Sequence, residues 1–274
     1  MRDTKRRRIL KALRRARHDW RALTCAIEKS LRQGGPVEAA LCSAITSESL
    51  GHFARGMAAR ILSIGRPDLA LNCLFHQLWS QDEKLALWST GLSIEELRDA
   101  RAIRPLIRAL YDTHPHRQHA AARALGWVHP GSTRAGRVLT DILADGSQPQ
   151  PVREEAAESL AYQNSNRAIP ALLAAMQEPD ERIRFWATFA LGQLRNRHSW
   201  RQSDPRVVPA LEARLGDHVT PEGQFNSVAQ EALEALAYWN PSVPKYVERL
   251  KDETERILSE PGSTEKQRAW ARNR

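Results

Sequence analysis

The stretch NRAIPALLAAMQEPDERIRFWATFALGQL, residues 166–194, holds a complete pair of helices. Its first half carries Ile169, Pro170 and Leu172, the mark of a short helix with proline near its start, where a missing N–H costs nothing. Its second half spaces Ile183, Ala187, Leu191 and Leu194 so that all four share one helical face. The connection from Asp180 to Arg184 has the pattern D-x-x-[IV]-R. Gly192, next to Leu191, is small enough to let a neighbouring helix approach closely.

The same design recurs on both sides. A-x-x-x-L followed by Gly or Ala occurs at Ala121, Ala156, Ala187 and Ala232, at spacings of 35, 31 and 45 residues. A shorter helix with an early proline precedes three of these, at Pro105, Pro170 and Pro209. One such pair cannot bury its own apolar stripe, so neighbouring pairs must stack into a continuous core. Apolar residues recur at helical spacing almost throughout, and no hairpin turn stands between alternating residues, which predicts an all-α chain.

The 166–194 run resembles a HEAT repeat, specifically the HEAT-like variety of phycobilisome lyase subunits and bacterial scaffold proteins. The pattern at Asp180 to Arg184 carries the likeness, and Val152 with Arg153 matches it one repeat earlier. The resemblance covers about residues 100–240. It implies an α-solenoid, a right-handed superhelix of antiparallel helix pairs whose second helices line a concave surface. The expected organisation is a basic amphipathic helix over 1–35, degenerate helical repeats over 36–100, HEAT-like repeats over 101–240, and a capping helix with a basic tail over 241–274.

Taking each repeat alanine as position 0, the core falls at −4, 0, +4 and +7, and positions −2, +2 and +6 form a stripe turned away from it. That stripe, with position −1, is acidic and aromatic. Trp127, Glu154, Glu158, Tyr162, Phe185, Trp186, Phe189, Glu234 and Tyr238 are its candidate groove residues. A nucleic-acid groove needs Lys and Arg along the phosphate backbone, whereas aromatic anchors with carboxylates suit a basic or amphipathic protein segment. The competing reading puts Phe185 and Phe189 in the core.

Lys and Arg number 41 against 32 Asp and Glu, a net charge of +9. Ten of these cations and only Asp3 and Asp19 fall in residues 1–21, so the rest of the chain is close to neutral. The stripe Ile9, Leu13, Trp20 and Ile27 makes this segment one long basic amphipathic helix, ended by Gly34, Gly35 and Pro36. It serves as a cap on the first helix pair, as a ligand for the protein's own acidic groove, or as an anchor to nucleic acid or an anionic membrane. The anchor would use Lys5, Arg6, Arg7, Arg8, Lys11, Arg14, Arg15 and Arg17.

Candidate chemistry is sparse. Cys25, Cys42 and Cys73 are odd in number and outside any CxxC pattern, which fits a reducing cytoplasm. Asp112, His114, His116 and His119 read as a polar turn, and Cys73 with His76 is at most half a metal site. No histidine is followed by Glu, as the di-iron motif of HEAT-type deoxyhypusine hydroxylases requires. Trp200 and Asp204 are the nearest pairing to that of HEAT-like alkylation glycosylases. No nucleophile elbow, P-loop, dinucleotide fingerprint or HExxH occurs. No apolar run suits a membrane span or a secretory signal. The expectation is a non-catalytic, cofactor-free cytoplasmic scaffold, with a bilin-lyase-type subunit as the enzymatic alternative.

Overall fold

A computed structural model describes residues 36–45, 47, 50, 52–79, 99–128, 131–163, 165–194, 204–239 and 243–272. The expected N-terminal helix with its basic anchor from Lys5 to Arg17, and Trp200, lie outside these residues. Among the described residues there are thirteen α-helices and no strand. The chain divides into two compact units, Met1–Pro130 and Gly131–Arg274.

In the first unit, α1 (Pro36–Ile45), α2 (His52–Gly65) and α3 (Pro67–Leu78) pack on one another, and α4 (Ile103–Leu110) pairs with α5 (Pro115–Trp127). Asp112 fixes the turn between the members of that pair. Its Oδ1 accepts the His114 N–H at 3.0 Å and sits 2.8 Å from His114 Nδ1, with Arg117 at 3.3 Å. Buried Arg117 also donates to the Trp79 carbonyl at 3.4 Å, tying α5 to the end of α3. The polar turn expected at Asp112 and His114 is thus a structural joint. No group of His, Cys, Asp and Glu among the described residues is arranged to hold a metal ion.

The second unit contains α6 (Thr133–Ala144), α7 (Gln150–Gln163), α8 (Ile169–Ala175), α9 (Glu181–Leu194), α10 (Val207–Glu212), α11 (Val228–Trp239), α12 (Pro244–Ser259) and α13 (Glu265–Arg272). The second helices α7, α9 and α11 stack side by side, and each packs on its own first helix α6, α8 or α10. Helix α6 lacks the early proline of its counterparts. It starts instead on Ser132, whose hydroxyl accepts the Ala135 N–H at 3.3 Å, an ordinary N-cap.

The register read from the repeats is the register of the core. Val152, Ala156, Leu160, Ile183, Ala187, Leu191, Leu194, Val228, Ala232 and Leu236 are all at most 2% exposed. Part of the long 45-residue interval lies in residues 213–227, which fold back on the start of α11. There the Val228 N–H reaches the Val219 carbonyl at 3.0 Å and the Ala229 N–H the Asp217 carbonyl at 2.7 Å. Gly223, at φ 84°, occupies the left-handed region that this turn needs. At the far end, α12 and α13 enclose a small cluster of Ile257, Ala271 and Leu250, and the Tyr246 hydroxyl donates to Glu212 on α10.

Asp204 leads into α10. Its carboxylate accepts the Arg206 N–H at 3.0 Å and the Arg206 guanidinium at 2.9 and 2.6 Å. Those bonds hold the Asp204 carboxyl down to about 2. The folded value lies below the ordinary one, so this contact stabilises above the usual carboxylate range and is lost as pH falls toward 2. Carbon-13 NMR titration should place the Asp204 midpoint near 2, and Arg206→Ala, which keeps the backbone N–H but removes the guanidinium, should raise it toward the ordinary value of about 4. An unchanged midpoint in that variant would show that the guanidinium is not the cause.

Candidate functional site

The second helices are held in register by their arginines. Asp180 Oδ1 accepts the N–H groups of Arg182 at 3.0 Å and Ile183 at 2.9 Å, so the D-x-x-[IV]-R aspartate is the N-cap of α9. The arginine of the pattern then reaches forward. Arg184 donates to the Glu178 and Pro179 carbonyls at 2.9 and 2.7 Å and to Asp217 of the next repeat at 2.8 Å. Arg153, its equivalent on α7, donates to the Leu143 carbonyl at 3.0 and 2.8 Å and to Glu178 at 2.8 Å. Each arginine closes the turn of its own repeat and pairs with an acid of the following one. The acids Glu178 and Asp217 lie 25 and 33 residues away, so nothing local in the sequence marks them as partners.

Close packing sets the spacing of the same helices. A Cβ built on Gly192 of α9 would lie 3.0 Å from the Ala235 Cβ of α11, tighter than ordinary carbon contacts allow. The small residue beside the repeat leucine therefore has the role expected of it.

On this scaffold the candidate groove residues separate by depth. Phe185 is 4% exposed, Glu154 7% and Glu234 5%. They are buried rather than open, because adjacent second helices crowd the flanks of the stripe. Glu154, for example, accepts from Arg182 of the next repeat at 2.6 Å and from Gln150 at 2.9 Å. Glu158, Tyr162, Trp186 and Phe189 are half-buried, and Tyr238 is 49% exposed. Trp127 is half-buried in the first unit.

Three aromatics form a continuous edge-to-face series along α9. Phe185 and Trp186 meet at 5.2 Å and 84°, and Trp186 and Phe189 at 5.5 Å and 86°. Both are favoured quadrupole geometries. Arg182, which the stripe positions do not include, lies on the same face five residues before Ala187. Glu154 holds its guanidinium and raises its pKa above the ordinary arginine value, and the Glu222 carbonyl accepts from it at 2.9 Å. The α9 face thus presents aromatic surface, with its cation neutralised.

Two of the candidate chemical groups are engaged elsewhere. Burial, with the neighbouring Cys42 thiol, pushes the Cys73 thiol up to about 12. A thiol that stays protonated at neutral pH is a poor nucleophile and a poor metal ligand. Asp204 is committed to Arg206.

These observations define an α-helical repeat protein of the solenoid class. A sequence profile described as HEAT repeats matches residues 74–161 and 138–224, more than half of the chain, and the chain belongs to the HEAT-repeat family. The match is to HEAT repeats in general and does not select among their varieties. A search of curated sequences finds no matching relative.

Two solved structures agree on the fold. One, described as Kap95p binding to RanGDP, superimposes with a TM-score of 0.60 at 11% identity over 95% of this chain and 39% of that one. Importin beta gives 0.52 at 14% identity over 96% and 44%. This chain therefore spans less than half the length of either. A crystal structure of an engineered protein gives 0.46 at 20% identity over 96% and 76%. Among the described residues no helix is long and apolar enough to cross a membrane.

Proposed function

We propose that this HEAT-repeat protein is a non-catalytic scaffold that binds a basic or amphipathic segment of a protein partner along the face of α7, α9 and α11. The observation that carries the reading is the half-open aromatic series of Trp186 and Phe189 on α9, backed by buried Phe185 and flanked on α7 by half-buried Glu158. Aromatic side chains supply large apolar contact at low entropy cost and dominate binding energy at interfaces. Carboxylates around them favour a cationic partner and speed its approach. Arg182 is already paired with Glu154, which leaves this part of the face ill-suited to a phosphodiester backbone. The importin-type neighbours are similar in fold alone, and they support a helical scaffold able to carry such a face.

A peptide-display selection against the full chain tests this. Recovered sequences should be enriched in Lys or Arg interleaved with apolar residues. Phe189→Ser should weaken a recovered peptide by about 2 kcal/mol, roughly thirtyfold, and Glu158→Lys should weaken it and flatten its salt dependence. Both side chains are half-buried, so circular dichroism must show the variants helical. Enrichment of acidic peptides, or equal binding by helical variants, would overturn the reading.

A further inference from the structure

Three first helices in this chain follow a three-residue lead-in that ends in arginine, and one of the three lacks the aspartate with which the other two begin. The lead-ins are Asp99-Ala-Arg101 before α4, Ser165-Asn-Arg167 before α8 and Asp204-Pro-Arg206 before α10. Their first residues share an extended backbone where it is recorded, φ −94° and ψ 113° at Asp99 against φ −107° and ψ 110° at Ser165. In the outer two, the aspartate takes both the N–H and the guanidinium of the arginine two residues on. In the middle one, serine replaces the aspartate and makes no capping hydrogen bond. Arg167 has lost the acid that its counterparts keep.

Helix α6 packs against this altered lead-in. A Cβ on Gly136 would lie 3.2 Å from the Ser165 Cβ, so glycine is what allows the approach. That contact brings Arg134 and Arg137, on either side of Gly136, to Arg167. Together with Thr133 they line an open cavity of about 270 Å³. Among the described residues no ion pair involves any of the three guanidiniums, nor Asp141, one turn beyond Arg137. The cavity also faces the first turn of a twelve-residue helix, whose positive dipole end adds to the field.

Three exposed guanidiniums lining one open cavity concentrate positive charge there, which favours an anion. A carboxylate brings one charge and two oxygens, too few for three forked donors. A phosphate monoester brings close to two charges and three terminal oxygens, and arginine is the side chain that binds such groups bidentately. The volume is below the roughly 300–1,000 Å³ of pockets for drug-sized ligands and suits a phosphate group with a short attachment.

We propose that Arg134, Arg137 and Arg167 form a site for a phosphate monoester, carried on a phosphorylated polypeptide side chain or on a small molecule. It is built from a first helix and a lead-in, and it does not depend on the reading of the α7, α9 and α11 face.

Isothermal titration calorimetry of the full chain tests it with four probes: a phosphoserine peptide with Gly-Ser flanks, its unphosphorylated form, its glutamate form, and inorganic phosphate. The phosphorylated peptide and inorganic phosphate should bind, and the glutamate and unphosphorylated peptides at least tenfold more weakly. Phosphopeptide affinity well above that of inorganic phosphate identifies a polypeptide source, and equal affinities a small-molecule one. Arg167→Gln should weaken phosphate binding at least tenfold. Ser165→Asp, which restores the acid of the other two lead-ins, should do the same while keeping or raising the unfolding midpoint, and Ser165→Asn, able to cap without charge, should retain binding. Unchanged binding in Ser165→Asp and Arg167→Gln, glutamate-peptide affinity equal to that of the phosphopeptide, or no phosphate binding at millimolar concentration would each overturn the proposal.

Discussion

Arg153→Ala should lower the unfolding free energy of the second unit by about 3 kcal/mol, the low end of the cost of removing one partner from a buried ion pair. The low end is appropriate because the Arg153 side chain is 10% exposed but its partner Glu178 29%. Two losses combine. The Leu143 carbonyl forfeits both guanidinium donors, and Glu178 is left facing α7 without its cation. Arg153→Lys should recover less than half of this, since a single ammonium cannot span a carbonyl and a carboxylate as the planar fork does. In a repeat protein such a contact belongs to the interface between neighbours, so its loss should uncouple α6 and α7 from α8 and α9. Urea unfolding gives the magnitude, and amide hydrogen exchange in α6 to α9 locates it. A loss below about 1 kcal/mol, the size of an exposed pair, would show that the arginine ladder contributes little to holding the repeats.

Gly192→Val should cost about 2 kcal/mol, within the usual range for overpacking. Valine is the better helix former, so the loss must come from the contact between α9 and α11 and not from propensity. The Cβ position lies 3.0 Å from the Ala235 Cβ, an atom fixed to the backbone that cannot swing aside, and at an ordinary 3.5 Å from its Cα. Ala235→Gly in the same chain should relieve it. A double-mutant cycle over the two positions should yield a coupling of at least about 1 kcal/mol, and strictly additive effects would refute the close approach.

The helix pairs and their core register are legible in the sequence because they depend on local periodicity. Ala156, Ala187 and Ala232, with the leucines that follow them, sit at the positions given by spacing alone and are fully buried. Helix α6 escapes the early-proline pattern, because Ser132 provides its start instead. The candidate face is legible in composition but not in depth. Phe185 and Phe189 are four residues apart on one stripe, yet the first is buried and the second half-open. Helical phase cannot distinguish them, because burial there depends on how far the neighbouring helices extend. The Arg134, Arg137 and Arg167 cavity leaves a weaker trace, the serine at position 165 where two other lead-ins carry aspartate.

Interactions within one or two helical turns are encoded where they act, which is why residue spacing alone specifies an all-α chain of repeated helix pairs and the core face of each second helix. Contacts between repeats join side chains at least 25 positions apart, such as Arg153 with Glu178, Arg184 with Asp217 and Gly192 with Ala235. No periodicity marks those partners, since each depends on the angle and separation at which successive pairs stack. That stacking selects which arginines are neutralised as struts and which, at α6 and the start of α8, are left facing a cavity.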